Sequence, residues 1–488
     1  MRPSPSTDVP LHALAAAELA ALIRARRLSA EEATRYFIDR IERHDGPVNA
    51  VPVRDFERAL ACARQADVDL ARGDAGGPLH GVPMTVKESF FVQGLPTCMG
   101  EASRAGIPAV EDSVTIRNLK RAGAIILGKS NVPLMCGDWQ SSNDVYGETH
   151  NPWRHGHSPG GSSGGSAAAL AAGLTPLELG NDRAGSIRVP ASFCGVYGHK
   201  PTWGAISGLG DAFNGQVSPS DIGTAGPMAT NTGDLEVLLR ALAVPQAGPR
   251  RFVLEAPRAA SLKGYRVAVW CGDPAVRTSE EITSQLAALA DDLAPACKSV
   301  TLFQPFFDTA KAREVYGALR VAAVATGKSA DKWSEHVRAV EAGPGGHPVA
   351  YRHAKAALMT HREWSLHDEW RNRLRAAWSR FFEEWDILIC PATLRDPFPI
   401  YRSGTPETRQ LEVDGRLVDY YDQEFWPGLI GMCYLPATAA PLGLSRQGLP
   451  LGMQVVAAEG ADYDAIRVAG LLADLRPAPA LPGRGAGG

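Results

Sequence analysis

The sequence predicts an α/β fold, and the pattern of apolar runs is the main reason. From residue 80 onward, short apolar runs bounded by glycine and proline alternate with stretches of helical spacing. Such alternation is typical of a sheet whose faces are covered by helices. No internal repeat and no long polar linker interrupts the 488 residues, although roughly 150 residues per domain would allow about three domains. We therefore expect one large α/β unit with a helical elaboration.

The N-terminal part of the chain is predicted to form helices. Leucines recur at helical spacing in its first segment, at Leu11, Leu14, Leu19 and Leu22. Ser29 and Glu32 have the spacing of a capping box, which marks the start of a helix. Residues 11–44 are therefore expected to form two helices.

Strands and a helical region are predicted further along the chain. The predicted strands are residues 82–86, 124–127, 267–270 and 385–390. Residues 308–384 have helical spacing and carry Trp333, Trp364, Trp370 and Trp378. These tryptophans are expected either to belong to the core or to cover a substrate pocket. The expected regions of the single domain, 1–488, are N-terminal helices (about 8–75), a catalytic core (about 76–240), a helical elaboration (about 305–385), a C-terminal core (about 386–475) and a flexible tail (476–488).

Composition narrows the class of partner and compartment. The 50 Lys and Arg residues nearly balance 53 Asp and Glu residues, and no long basic run occurs, so a nucleic acid is not expected as a partner. The eight cysteines are scattered without a CxxC pair, which favours reduced thiols in the cytoplasm. No stretch of about 18 apolar residues is present, so no membrane span is expected.

A loop rich in glycine and serine, residues 158–166, precedes an alanine-rich helical run. Helix N-termini bind phosphate, but the lysine of a P-loop and the G-x-G-x-x-G pattern of dinucleotide sites are both absent. A flexible linker is opposed by the helical run that follows directly. The glycines either form a structural turn or free the backbone to aim Ser162 or Ser163.

A second segment, residues 180–190, places Ser186 after a turn of small residues. Backbone N–H groups of Arg183, Ala184 and Gly185 could converge there, as an oxyanion hole requires. A serine nucleophile also needs a base, and neither a G-x-S-x-G elbow nor a suitably placed histidine is present. Lys87 ends a strand-like run, and a desolvated lysine can lose its proton near neutral pH.

Together these segments resemble the amidase signature family, the Ser-cisSer-Lys amide hydrolases. The segments that match are residues 81–89, 160–174 and 180–202, with supporting matches at 127–133, 151–153 and 441–457. The resemblance implies a mixed central sheet covered by helices on both faces. It also implies that Lys87 is the base, Ser162 the serine of a cis peptide and Ser186 the nucleophile.

The resemblance further implies an acyl-enzyme mechanism and a set of binding residues. The oxyanion would be held by the backbone N–H groups of Arg183, Ala184, Gly185 and Ser186. The substrate would contact Met135, Cys136, Gly137, Trp139 and Ser163. With Leu134, and with Phe425 and Trp426 on another expected loop, this pocket is mainly apolar, with only Asp138 and Gln140 as polar groups.

The turn before Ser186 departs from the family pattern at two positions. Ala184 replaces a glycine, so a positive φ there would be strained. Arg183 brings a long cation close to the site unless its side chain extends outward. Asp182 and Arg188 are expected to form a structural pair.

We therefore expect a serine-dependent amidase that acts on apolar or aryl carboxamides, with carbamates as further substrates. The alternatives are a glutaminase-type subunit of a tRNA-dependent amidotransferase and a non-catalytic binding protein on the same fold. No cofactor is expected, and no metal, because His155 and His157 lack a third ligand. The expected partner is a small amide or carbamate, and a homodimer is left open.

Overall fold

The structure is a computed structural model that describes residues 9–208, 220–244, 252–325, 329–345 and 347–483. Within these ranges the α-helices are α1 (Ala16–Arg24), α2 (Ala30–His44), α3 (Phe56–Arg72), α4 (Val114–Arg121), α5 (Gly164–Ala171), α6 (Arg188–Cys194), α7 (Thr232–Leu242), α8 (Glu280–Leu293), α9 (Thr309–Ala325), α10 (Ala330–Ala342), α11 (Pro348–Ala357), α12 (His361–Glu384), α13 (Phe425–Gly431) and α14 (Asp462–Leu475). The strands are β1 (Val53–Arg54), β2 (Pro83–Lys87), β3 (Ile125–Ser130), β4 (Ser142–Asn143), β5 (Gly147–Glu148), β6 (Leu177–Asp182), β7 (Tyr197–Lys200), β8 (Thr224–Ala229), β9 (Arg266–Val269), β10 (Ser299–Leu302), β11 (Ile387–Pro391), β12 (Gln410–Val413), β13 (Arg416–Asp419), β14 (Ala437–Leu444) and β15 (Pro450–Ala457).

A mixed sheet of eleven strands runs through the described part of the chain, in the order β1-β3-β2-β6-β8-β7-β14-β15-β11-β9-β10. Strand β2 is parallel to both β3 and β6, and β9 is parallel to both β10 and β11. The strands between these two groups pair antiparallel. This architecture confirms the predicted α/β fold with a mixed central sheet.

Complete burial explains why several strands appear in the sequence as continuous apolar runs. Every residue of β2, β3, β11 and β15 is buried, which requires cover on both faces of the sheet. The four strands predicted from apolar runs correspond to β2, β3, β9 and β11, with ends shifted by one to three residues. Continuous apolar runs, in which apolar and polar residues do not alternate, therefore predicted these strands correctly.

The predicted helix start at Ser29 is confirmed. The Ser29 hydroxyl accepts the N–H of Glu32, and the Glu32 carboxylate accepts the N–H of Ser29, as a capping box requires. The expected helical elaboration consists of α9 to α12. Trp378 on α12 is fully buried in a core cluster, and Trp364 and Trp370 pack against that cluster, whereas Trp333 on α10 is 43% exposed.

The parallel strands β2 and β6 position the site. Because parallel strands end at the same edge of a sheet, Lys87 at the end of β2 lies beside the end of β6. The helices α5 and α6 begin close to that edge, directly after the two serine-bearing loops.

The C-terminal tail contacts the body of the protein up to Gly483. The N–H of Gly483 donates to the Ala171 carbonyl at 3.0 Å, and Arg40 donates to the Gly483 carbonyl at 3.3 Å. The remainder of the tail that was expected to be flexible, residues 484–488, lies outside the described residues. None of the described helices is both long enough and apolar enough to cross a membrane.

Candidate active site

Lys87 is completely buried at the end of β2, where its ammonium group has two oxygen partners. Its Nζ donates to Ser162 Oγ and to Asn181 Oδ1, each at 2.6 Å. Burial lowers the pKa of Lys87 from its ordinary value of 10.5 to about 8. A substantial fraction of Lys87 is therefore neutral in mildly alkaline solution, and a neutral lysine can accept a proton from Ser162.

The glycine–serine loop is buried against its neighbours. The peptide bond between Gly161 and Ser162 is cis, as the family resemblance implies. A Cβ atom on Gly161 would lie 2.1 Å from the Asp138 carbonyl oxygen, so only glycine fits there. Ser162 is 1% exposed and Ser163 is completely buried, which excludes a flexible linker. The loop therefore holds the Ser162 hydroxyl on Lys87.

Ser186 lies in the turn between β6 and α6, and Asp182 organises that turn. The Asp182 carboxylate accepts the N–H groups of Gly185, at 2.8 Å, and Ile187, at 3.1 Å. It also forms a fully buried ion pair with Arg188 at 2.9 Å. Burial opposes ionisation of Asp182, but the charge and hydrogen bonds of Arg188 lower its pKa to about 2. The predicted structural pair is confirmed.

The backbone of this turn corrects the expected strain at Ala184. The positive φ occurs at Gly185, where it is +88°, and Ala184 is not among the described non-glycine residues with positive φ. Only one glycine is needed because a single residue makes the left-handed step. Ala184 therefore replaces glycine here without backbone strain.

Three backbone N–H groups near Ser186 have no hydrogen-bond acceptor among the described residues. Those of Arg183, Ala184 and Ser186 form no hydrogen bond within the described ranges, whereas the N–H of Gly185 is occupied by Asp182. The N–H of Gly185, which was expected in the oxyanion hole, therefore stabilises the turn through its hydrogen bond to Asp182. The Ser186 hydroxyl is partly exposed and likewise has no hydrogen-bond partner among the described residues.

The segment expected to line the pocket, Leu134 to Gly137, bends sharply close to Lys87. Met135 and Cys136 both have positive φ, +51° and +55°. Burial raises the pKa of the Cys136 thiol, and the charge of the nearby Lys87 opposes that rise. Met135, Cys136 and Gly137 are each partly or fully exposed, so this segment can face a substrate.

Trp139 and Ser163, two other residues expected to bind substrate, lie deeper. Trp139 is 5% exposed, and its indole N–H donates to the Ala184 carbonyl at 3.3 Å. The N–H of Ser163 donates to the Ser186 carbonyl at 3.0 Å. Both residues therefore support the turn that carries Ser186.

Several side chains expected to line the pocket belong to the core or to internal bonds. Phe425 and Trp426 are each 1% exposed on helix α13, so the expected loop there is wrong. Asp138 accepts from Tyr420 and Arg409, at 2.6 Å and 2.5 Å. Gln140 exchanges two hydrogen bonds with the backbone of Tyr401.

Asn181 was not predicted from the sequence. Its Oδ1 accepts from Lys87, and its Nδ2 donates to Ser89 Oγ at 2.9 Å. The Tyr316 hydroxyl, which donates to the Arg183 carbonyl at 3.2 Å, was not predicted either. No local pattern marks these two contacts, because each joins residues that are far apart in the sequence.

The histidines near the serine loop show no metal-type geometry. His155 lies on His150, with ring centroids 3.9 Å apart, and His157 is not part of that pair. The described ranges contain no group of three or more His, Cys, Asp or Glu residues that could hold a metal ion.

Comparison with known proteins places this geometry in a family. The model of the family described as Amidase matches residues 32–465, most of the chain. The chain belongs to the amidase family. As a member of this family it is an amidohydrolase that acts on C–N bonds. The match extends over the lysine and both serines described above.

Relatives cover nearly the whole amidase chain. It is 31% identical to a glutamyl-tRNA(Gln) amidotransferase subunit of Cutibacterium acnes, over 94% of both chains. It is 29% identical to an acylamidase of Rhodococcus erythropolis, over 96% of this chain and 97% of that one. Among solved structures, 6-aminohexanoate cyclic dimer hydrolase in complex with its substrate shares 27% identity and a TM-score of 0.77, over 96% of this chain and 98% of that one.

Proposed function

We propose that this amidase hydrolyses apolar or aryl carboxamides, and also carbamates, through an acyl-enzyme on Ser186. The contact between Lys87 Nζ and Ser162 Oγ carries the proposal. It joins a lysine whose pKa is about 8 to a serine on the loop that packs against the Ser186 turn. A base with a pKa near the working pH is what general-base catalysis requires.

The proposed reaction proceeds in two stages. Lys87 accepts a proton from Ser162 while Ser162 accepts one from Ser186, and Ser186 Oγ attacks the carbonyl carbon. The open N–H groups of Arg183, Ala184 and Ser186 stabilise the oxyanion. The C–N bond then breaks, and the proton returns through Ser162 to the leaving nitrogen. Water attacks the resulting ester by the same proton route and releases the acid.

The preference for apolar or aryl groups rests on the surroundings of the nucleophile. Met135 and Cys136 are partly exposed, and Leu134 is 53% exposed, on the segment that leads to Trp139 and its hydrogen bond with the Ala184 carbonyl. A relative that covers nearly the whole chain is an acylamidase. Amides and carbamates form the same kind of tetrahedral oxyanion, so one site can act on both. The eight free cysteines favour a reducing compartment such as the cytoplasm.

A second candidate is the glutaminase-type subunit of an amidotransferase. The 31% identical relative from Cutibacterium acnes favours it. The balanced charge and the altered turn, with Arg183 and Ala184, count against it. Glutamine hydrolysis separates the two candidates.

The test combines covalent labelling with a substrate panel. We expect a fluorophosphonate to label Ser186 and an anilide to have a higher kcat/KM than glutamine, asparagine or acetamide. Ser186→Ala is expected to lose both labelling and turnover, whereas Ser334→Ala, at an exposed serine on α10, is the matched control. Retention of more than about a tenth of the activity in Ser186→Ala would contradict the nucleophile, because losing one costs far more. A preference for glutamine would favour the second candidate.

A further inference from the structure

Arg183 is a largely buried cation without an anionic partner, three residues before the nucleophile. Its Nη2 donates to Ser220 Oγ at 2.6 Å. Its Nε is buried and has no hydrogen-bond acceptor. It forms no ion pair with a carboxylate of the described residues. The side chain is therefore held at Ser220, and its other N–H groups have no acceptor among the described residues.

Other largely buried arginines in this region have carboxylate partners. Arg188 pairs with Asp182, and Arg320 pairs with Glu424 at 2.7 Å. A buried charge is costly unless it is paired, so proteins normally supply such a partner. Arg183 is the exception among these three arginines, and it lies three residues before the proposed nucleophile Ser186.

The nearby carboxylate of Asp221 is already bound to other groups. It accepts two hydrogen bonds from Arg371, at 2.8 Å and 3.0 Å, and one from the Tyr434 hydroxyl at 2.7 Å. Arg320, a further cation near Arg183, is occupied by Glu424. The described part of the protein therefore supplies no free anion for Arg183.

The Arg183 guanidinium lies at Ser220 and Gly223, and its charge is close enough to Lys87 and Cys136 to act on both side chains. Aromatic side chains lie close to it: Tyr316 bonds to its carbonyl, and the Trp203 indole donates to the Ser220 carbonyl at 3.0 Å. An aryl group and an anion could therefore be bound together.

We propose that the Arg183 guanidinium binds a carboxylate of the substrate, so that the preferred substrates are aryl or apolar amides that also carry one anionic group. The planar guanidinium presents N–H groups as a fork that matches a carboxylate. This inference rests on the proposed amidase function and specifies its substrate class. The carboxylate belongs either to the acyl part or to the amine part of the substrate.

Two matched pairs of substrates test whether the carboxylate belongs to the acyl part or to the amine part. Succinanilate and butyranilide differ by a carboxylate on the acyl part, whereas 4-acetamidobenzoate and 4-methylacetanilide differ by one on the aryl amine. Within each variant, kcat/KM of the charged substrate is divided by that of its neutral partner. This ratio does not depend on the fraction of active enzyme, so partial misfolding does not distort it.

We expect the ratio to exceed about tenfold for one pair in the parent enzyme, as a charge-assisted hydrogen bond provides. Arg183→Gln is expected to reduce that ratio about tenfold or more, and Arg183→Lys to retain part of it because the charge remains. Arg380→Gln, the same change at an exposed arginine on α12, is expected to leave the ratio unchanged.

Ratios near one for both pairs, or a high ratio that survives in Arg183→Gln, would overturn the role of Arg183 and leave the amidase proposal standing. Failure to hydrolyse any of the four anilides would contradict the proposed function and, with it, this inference. The two failures are therefore distinguishable.

Discussion

At the scale of single residues, the chemistry of the site depends on a few buried polar contacts. Lys87 has no carboxylate partner among the described residues and instead bonds to the neutral oxygens of Ser162 and Asn181. A buried lysine with neutral partners loses its proton more easily than one beside an anion. The sequence placed Lys87, Ser162 and Ser186 on three segments, but only folding showed which groups surround the ammonium.

The pH dependence of catalysis tests the state of Lys87. The protonated form cannot accept a proton, and its pKa is lowered to about 8, so kcat/KM is expected to rise with pH through an inflection near that value. The surrounding charges act in both directions, because Asp182 and Glu178 raise this pKa while Arg183 lowers it. The measurement is kcat/KM for an anilide from about pH 6 to about pH 10.

Two variants of the same residue serve as controls for this profile. Lys87→Ala is expected to lose turnover, and Lys87→Arg is not expected to restore it, because guanidinium remains protonated. A profile of the parent enzyme that is flat from about pH 6 to about pH 9 would argue against Lys87 as the base.

Asn181 is expected to position the base. Asn181→Ala removes an acceptor from Lys87 and should lower kcat by about tenfold with little change in KM. Asn181→Asp places an anion there, which favours protonated Lys87 and moves the inflection in kcat/KM to higher pH. A purely structural role would not move that inflection, so an unchanged profile in Asn181→Asp would refute the assignment.

At the scale of elements, the glycine–serine loop before α5 packs against the turn between β6 and α6, and each stabilises the other. The N–H of Ser163 bonds to the Ser186 carbonyl. Trp139, whose carbonyl accepts from Ser158 of the loop at 2.8 Å, bonds to the Ala184 carbonyl. Arg188 joins this turn to α13 and β15 through the Pro427 carbonyl and Gln454 Oε1, each at 2.9 Å. A displacement of one loop is therefore transmitted to the other.

Gly161 provides a test of this coupling. Gly161→Ala would place a methyl group 2.1 Å from a backbone oxygen, so the loop must shift and carry Ser162 off Lys87. We expect kcat/KM for an anilide to fall by about a hundredfold or more, since misplacement of about 1 Å costs that much. Gly46→Ala is the control, because a methyl group there would meet no atom within 4 Å. Near-parent activity in Gly161→Ala would show that the loop tolerates displacement.

At the scale of the whole molecule, three buried lysines make folding depend on pH. Burial lowers the pKa of Lys200 to about 7 and the pKa values of Lys87 and Lys129 to about 8. Their unfolded values are near 10.5, so above about pH 7 the unfolded chain binds more protons than the folded one. Stability is therefore expected to rise with pH through this window. The buried thiols, among them Cys194, whose pKa burial raises, begin to oppose that rise near pH 8.5.

This dependence is open to measurement by chemical denaturation. We expect the free energy of unfolding to increase by about 1–3 kcal/mol between about pH 7 and about pH 8.5. In Lys200→Met the increase should be smaller, because the group with the lowest pKa of the three no longer titrates. A free energy that falls across this window in the parent protein would contradict the expectation.

The sequence by itself determined the fold class, the helix start at Ser29, the buried strands and the segments that carry the site. These follow from local patterns, since hydrophobic periodicity, caps and glycine-rich motifs act over neighbouring residues. It misplaced Phe425 and Trp426, and it overestimated the strain at Ala184. Only the tertiary structure decided the hydrogen bond of Asn181 to Lys87, the occupied N–H of Gly185 and the unpaired state of Arg183 within the described residues. The physical reason is that burial and hydrogen-bond partners depend on residues brought together from distant segments, which no local pattern specifies.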